Sequence, residues 1–151
     1  MTETVDRAYV TRRMSELFIE HGLADTGWTF KFSRTTRALG ITYYTKKRID
    51  ISGATLPYMT VDEVEDTMRH EVAHAILGPG YGHGPEWKNM ARRLGANPRA
   101  SAKNVRIPPK WTFTCTETWC RRVYNYQGKP RLTPEEVRCH CGGRVVLQKV
   151  A

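Results

Sequence analysis

Apolar residues recur at intervals of three and four between residues 61 and 76, where Val61, Val64, Met68, Val72 and Ile76 fall on one side of a helical wheel. This stripe predicts a helix with one buried face. Thr60 stands at the N-cap position with Glu63 three residues on, the signature of a capping box, and Gly78-Pro79-Gly80 ends the pattern. A weaker helical pattern covers about Val5 to His21, with Ala8, Met14, Leu17 and Phe18 partly on one face and Gly22 as the stop. Pro85 suits the first turn of a third helix, Glu86 to about Leu94. Between the first two helices the period changes to two. Trp28-Thr29-Phe30-Lys31-Phe32 and Ile49-Asp50-Ile51 alternate apolar and polar residues, and Ala38 to Tyr44 is rich in β-branched and aromatic types. These segments predict a small antiparallel sheet with a turn near Thr45 to Lys47.

Asn97-Pro98-Arg99-Ala100-Ser101 and Ile107-Pro108-Pro109-Lys110 interrupt the chain after the third helix. The expected organisation is a main domain over 1–95, a linker over 96–110 and a small β-rich unit over 111–151. A length of 151 residues suits one domain with an appendage, and 40% hydrophobic residues suffice for a modest core. No segment approaches 18 consecutive apolar residues, so no membrane span is expected. The first 20 residues are rich in charge, which argues against a signal peptide and makes the cytoplasm the default location.

Charge divides the chain unevenly. Residues 1–85 hold 10 Lys/Arg and 11 Asp/Glu, whereas 86–151 hold 14 and 4, so the net charge of +9 comes from the second half. Lys103, Arg106, Lys110, Arg121 and Arg122 are the candidate contacts to a nucleic-acid backbone; such contacts would be salt-sensitive and largely indifferent to sequence. A solvated basic surface without a dedicated partner is the plainer alternative.

The chemistry is concentrated in His70-Glu71-Val72-Ala73-His74 and in Gly82-His83-Gly84. Residues four apart on a helix lie on one face about 5–6 Å apart. His70 and His74 can therefore share a metal ion, with Glu71 beside its open position. His83 follows a breaker and is flanked by glycines, so a chain that turns back supplies the third ligand. Three protein ligands and one water are the catalytic pattern for zinc, and Glu71 is the candidate general base. Tyr81 could donate to an oxyanion or only pack the turn. Glu86 reads as a helix-start carboxylate, and His21 and His140 as lone histidines in surface or supporting roles.

Cys115, Cys120, Cys139 and Cys141 all lie beyond residue 110. A cytosolic setting disfavours stable disulfides, and a segment of roughly 40 residues has too little core to fold without a staple. Four thiolates on one structural zinc meet that need. The spacing is C-x4-C followed by C-x-C rather than two C-x-x-C knuckles, which leaves open whether His140 replaces a cysteine. A redox pair and a metal-free knot are the alternatives. Trp111, Phe113, Trp119, Tyr124 and Tyr126 would mostly form the miniature core, with one or two free to stack on unpaired bases.

A metzincin would have glycine three residues after the second histidine and histidine six after it; here those positions are Leu77 and Gly80. The third histidine instead comes nine residues after His74, in Gly-His-Gly-Pro-Glu-Trp-Lys, with Ala91-Arg92-Arg93-Leu94-Gly95 beyond. The run from His70 to Gly95 resembles the SprT-like metalloproteases, the family that includes the protease for DNA–protein crosslinks. Cys141-Gly142-Gly143-Arg144-Val145 resembles the second knuckle of SprT-like ribbons. The resemblance implies an α+β zincin-type core, helices packed on a small sheet that borders the substrate cleft, followed by a β-rich zinc ribbon. It further implies a zinc endopeptidase acting on proteins bound or crosslinked to DNA, with one catalytic and one structural zinc. The expected partners are DNA, single-stranded or distorted, and proteins upon it, for a monomer with no membrane partner. The location would be cytoplasmic at the nucleoid, or nuclear in a eukaryote. Two other classes remain open: a metallopeptidase indifferent to DNA, and a non-enzymatic zinc-containing DNA-binding module.

Overall fold

In the computed structural model, which describes residues 5–99 and 105–150, the chain runs through α1 (Arg7–Glu20), β1 (Thr29–Ser33), β2 (Gly40–Tyr43), β3 (Arg48–Ser52), α2 (Val61–Leu77) and α3 (Pro85–Arg93). It continues into β4 (Trp111–Cys115), β5 (Val123–Tyr126) and β6 (Val145–Lys149). This is an α+β protein. It divides into two compact units, Met1–Arg106 and Ile107–Ala151.

In the first unit the strands lie in the order β1-β3-β2. Ile49 and Ile51 on β3 are fully buried, so β3 takes the centre and bonds on both edges. Its pairing with β2 is antiparallel, with Thr42 opposite Ile49, but its pairing with β1 is parallel, with Phe30 opposite Ile49. The sheet is therefore mixed where an antiparallel one was expected. Alternation shows which side chains face inward; it does not say which strand becomes the neighbour or in which direction it runs. The β2–β3 connection turns over residues 44–47, with the Lys47 N–H on the Tyr44 carbonyl and Lys47 at φ 45°.

Helix α2 starts as its capping box requires. The Glu63 N–H donates to Thr60 Oγ1 at 3.2 Å and the Thr60 N–H to the Glu63 carboxylate at 2.8 Å. Val64, Met68 and Val72 are fully buried against Val10, Met14, Leu17 and Phe18 of α1 and the isoleucines of β3. Each such side chain contributes roughly 1.5–3 kcal/mol. Asp6 caps α1 through the Tyr9 N–H at 2.8 Å. Ala8, expected on the apolar face, is exposed, and Tyr9 and Val10 are buried in its stead. Tyr9 turns inward because its hydroxyl donates to Glu65 Oε1 at 2.8 Å.

Glu65 also accepts from Arg13 Nε at 2.7 Å and lies 2.9 Å from an Arg69 guanidinium nitrogen. Burial pushes its carboxyl up. The bonds from Arg13 and Tyr9, with the charges of Arg13 and Arg69, more than offset this and hold it below its ordinary range. The cluster ties α1 to α2.

Within the second unit, β5-β4-β6 form an antiparallel sheet, with Phe113 opposite both Tyr124 and Leu147. Among the described residues, its buried hydrophobic core is Phe113, Cys115, Cys139 and Val145, with Tyr124, Val137 and Leu147 packed around it. A core of this size does not hold a fold alone.

Parts of the stretch expected as a linker, 96–110, belong to one unit or the other. Ala96 is buried beside Ala73, Trp87 and Ala91, the Asn97 N–H donates to Asp66, and Val105 packs on the first core. The backbone of Lys110 bonds Tyr126 and Val150 in the second unit. Lys103 lies outside the described residues. Among the described residues, no helix is long and apolar enough to cross a membrane.

Candidate metal centre and active site

The last two turns of α2 carry His70, Glu71 and His74. Gly78 then leaves the helix at φ 82°, a conformation that favours glycine, while its N–H still bonds the His74 carbonyl. The Gly84 N–H returns to the Tyr81 carbonyl, and α3 begins at Pro85. This reversal brings His83 back over α2. His83 Nε2 lies 3.1 Å from His74 Nε2 and 3.1 Å from His70 Nε2.

Trp87, one turn into α3, forms the wall behind all three rings. Its indole stacks on His74 at 5.2 Å between centroids and meets His70 at 4.5 Å and His83 at 4.6 Å. It is fully buried, and among the described residues its Nε1 has no hydrogen-bond partner. Burial, and then the neighbouring histidines, depress both His70 and His74 to about 4; burial and Lys88 lower His83. Burial therefore favours the neutral form of the three imidazoles. Three ring nitrogens within 4.8 Å of one another form a donor set that fits a metal ion.

Glu71 is buried, and the Thr42 hydroxyl lies 2.7 Å from Oε2 and 3.1 Å from the Glu71 carbonyl oxygen. Burial pushes the carboxyl up to about 7, against the opposing Thr42 bond. A cation beside it would lower that value. Gly40 leaves room for the carboxylate, since a Cβ there would stand 2.6 Å from Glu71 Cγ. The Tyr44 hydroxyl lies 3.3 Å from His74 Nδ1. Sequence reasoning missed Gly40, Thr42, Tyr44 and Trp87 as parts of this site. The alternation of 40, 42 and 44 in a strand was the available signal for three of them. Tyr81 is exposed in the loop, and Glu86 lies in the first turn of α3, outside the histidine cluster.

The second cluster unites all four cysteines, and His140 is not part of it. Cys115 and Cys141 sulfurs are 3.6 Å apart, as are those of Cys120 and Cys139, and all four are free thiols. Gly142 turns the second knuckle at φ 87°, and the Gly143 N–H points to Cys141 Sγ at 3.4 Å. The Tyr124 hydroxyl accepts from the His140 N–H at 2.9 Å and lies 3.3 Å from Cys139 Sγ. The hydrogen bonds from the Tyr124 hydroxyl and the Cys141 backbone draw the Cys139 thiol down to about 6, whereas burial pushes Cys115 up to about 12 and Cys120 is also raised, so the four sulfurs do not ionise alike. Such a donor set fits a metal ion in a zinc-ribbon fold.

Arg121, Arg122 and Lys110 are exposed on the second unit, as is Arg106 at the end of the first. Trp119 is 73% exposed, whereas Phe113 is buried.

Helices packed on a small sheet, with His70, the buried Glu71 and His74 on one helix and His83 brought to them from the following loop, define a zincin-type protein of metallopeptidase character. The SprT-like family model matches residues 8–108, and the chain belongs to that family. No curated protein matches the chain.

Proposed function

We propose that the protein is a zinc-dependent endopeptidase that cleaves proteins bound or crosslinked to DNA. The observation that carries the enzymatic part is a buried Glu71 carboxylate adjoining three convergent imidazoles. Spacing supports zinc in both clusters. Tetrahedral zinc with bonds of about 2.0–2.1 Å to nitrogen and 2.3 Å to sulfur separates its ligands by about 3.3 and 3.8 Å, close to the 3.1 and 3.6 Å seen.

His70, His74 and His83 would hold the catalytic ion, and Cys115, Cys120, Cys139 and Cys141 the structural one. When bound, the catalytic zinc supplies Lewis acidity for the scissile carbonyl and acidifies water to a pKa of about 7. Glu71 accepts the proton of the attacking water and delivers it to the leaving amine. Thr42 holds one carboxylate oxygen and leaves the other for that proton. Trp87 keeps the imidazoles in register.

For DNA, support comes from the basic second half, its exposed Arg121 and Arg122, and the exposed Trp119 and Tyr126. Phosphate contacts would tether the protein and raise the effective concentration of DNA-bound substrates. In this reading the protein works as a monomer in the DNA-containing compartment.

Cleavage of a histone-type substrate and autocleavage, each with and without single-stranded DNA, test the proposal with chelation as control. Glu71→Gln should keep both metal ions and lose about 10²–10⁴-fold in rate. Equal turnover by wild type and Glu71→Gln would remove the site from the reaction. Turnover indifferent to DNA would leave a metallopeptidase without its DNA partner.

A further inference from the structure

Gly40, Thr42 and Tyr44 occupy alternate positions in and just after β2, so they share the side of the strand that meets α2. Each touches a different part of the histidine–glutamate motif. The Thr42 hydroxyl has a single hydrogen, and the 2.7 Å contact to Glu71 Oε2 is the shorter of its two acceptors. Tyr44 Oη stands 3.3 Å from His74 Nδ1. For His74 Nε2 to offer a lone pair to a metal, its proton must sit on Nδ1, so Nδ1–H donates and the tyrosine oxygen accepts. Among the described residues, neither His70 nor His83 has a protein partner on Nδ1.

We propose that Thr42 and Tyr44 are positioning residues with separate tasks: Tyr44 sets the tautomer and aim of His74 for metal binding, and Thr42 aims the Glu71 carboxylate for proton transfer. A strand that merely packed on the helix would affect both functions together. Here the two residues bond different groups, so their effects separate. The Thr42 task depends on the peptidase reading above; the Tyr44 task needs only a bound metal.

Tyr44→Phe, Thr42→Val and Thr42→Ser test this in the full chain, with thermal unfolding of the chelated protein as a check on the fold. Tyr44→Phe should weaken Zn²⁺ binding at the histidine site about 10–100-fold in chelator competition and shift the visible spectrum of the Co²⁺-loaded site. Thr42→Val should leave affinity and spectrum as in wild type while kcat falls about 100-fold at unchanged KM. Thr42→Ser, which keeps the hydroxyl, should restore kcat. Equal losses of metal affinity in Tyr44→Phe and Thr42→Val, or none in Tyr44→Phe, would overturn the division. A wild-type protein that binds zinc but cleaves nothing would overturn the peptidase reading and the Thr42 task with it. The metal isotherms would still decide the Tyr44 task.

Discussion

Replacing Gly40 by alanine puts a methyl group where Glu71 already stands. The added Cβ would lie 2.6 Å from Glu71 Cγ, 3.1 Å from Cδ and 2.9 Å from Oε1. Carbon atoms in comfortable contact are about 3.5–4.0 Å apart, so roughly 1 Å must be given up. Gly40 pairs with Ile51 in an extended strand and is not among the residues at positive φ, so alanine adopts its backbone without strain. The yielding group is then the flexible glutamate side chain. A displacement of about 1 Å from reacting geometry costs on the order of 100-fold in rate, or about 2.7 kcal/mol in the barrier. Gly40→Ala should therefore lower kcat about 100-fold while the histidine site keeps its metal and the melting temperature hardly moves. Steady-state kinetics with metal analysis of the same preparation measure this. Wild-type turnover, or metal lost in step with activity, would refute the reasoning.

Cys139→Ser with Cys141→Ser should remove one of two metal ions and unfold the second unit, leaving the histidine site filled; elemental analysis showing a single ion in wild type, unchanged by the substitutions, would contradict this. DNA affinity should fall linearly with salt on logarithmic axes, and Arg121→Ala with Arg122→Ala should make the slope shallower; a slope equal to wild type would place the contacts elsewhere. Glu65 is held below its ordinary pKa in the folded protein, so its contribution is present above the unfolded value of 4.5 and is lost as pH falls through the lower folded value. Glu65→Gln should cost about 1.5–3 kcal/mol at neutral pH, the scale of a charge-assisted bond, and flatten the acid limb of the stability curve; a limb identical to wild type would show that the cluster contributes nothing.

The parts of this protein readable from sequence are those fixed by neighbours a few residues apart. The capping box of α2 joins Thr60 to Glu63, the stripe Val64, Met68, Val72 repeats every turn, and His70 and His74 share a face because they are four apart. The breaker at Gly78 and Pro85 at the start of α3 made the return of His83 legible as well. The four cysteines stood out as a ligand set, although their irregular spacing left His140 as a candidate that only the folded knuckle could set aside. What the tertiary structure decided involves partners far along the chain. Strand β1 runs parallel to β3 while β2 runs antiparallel to it, and no local pattern encodes strand direction. Thr42 meets Glu71 and Tyr44 meets His74 across about thirty residues, and Tyr9 and Arg13 meet Glu65 across more than fifty. Trp87 lies close in sequence, yet its role behind the imidazoles depends on how α3 packs on α2. Local spacing named the candidate ligands, and packing supplied the groups that contact them.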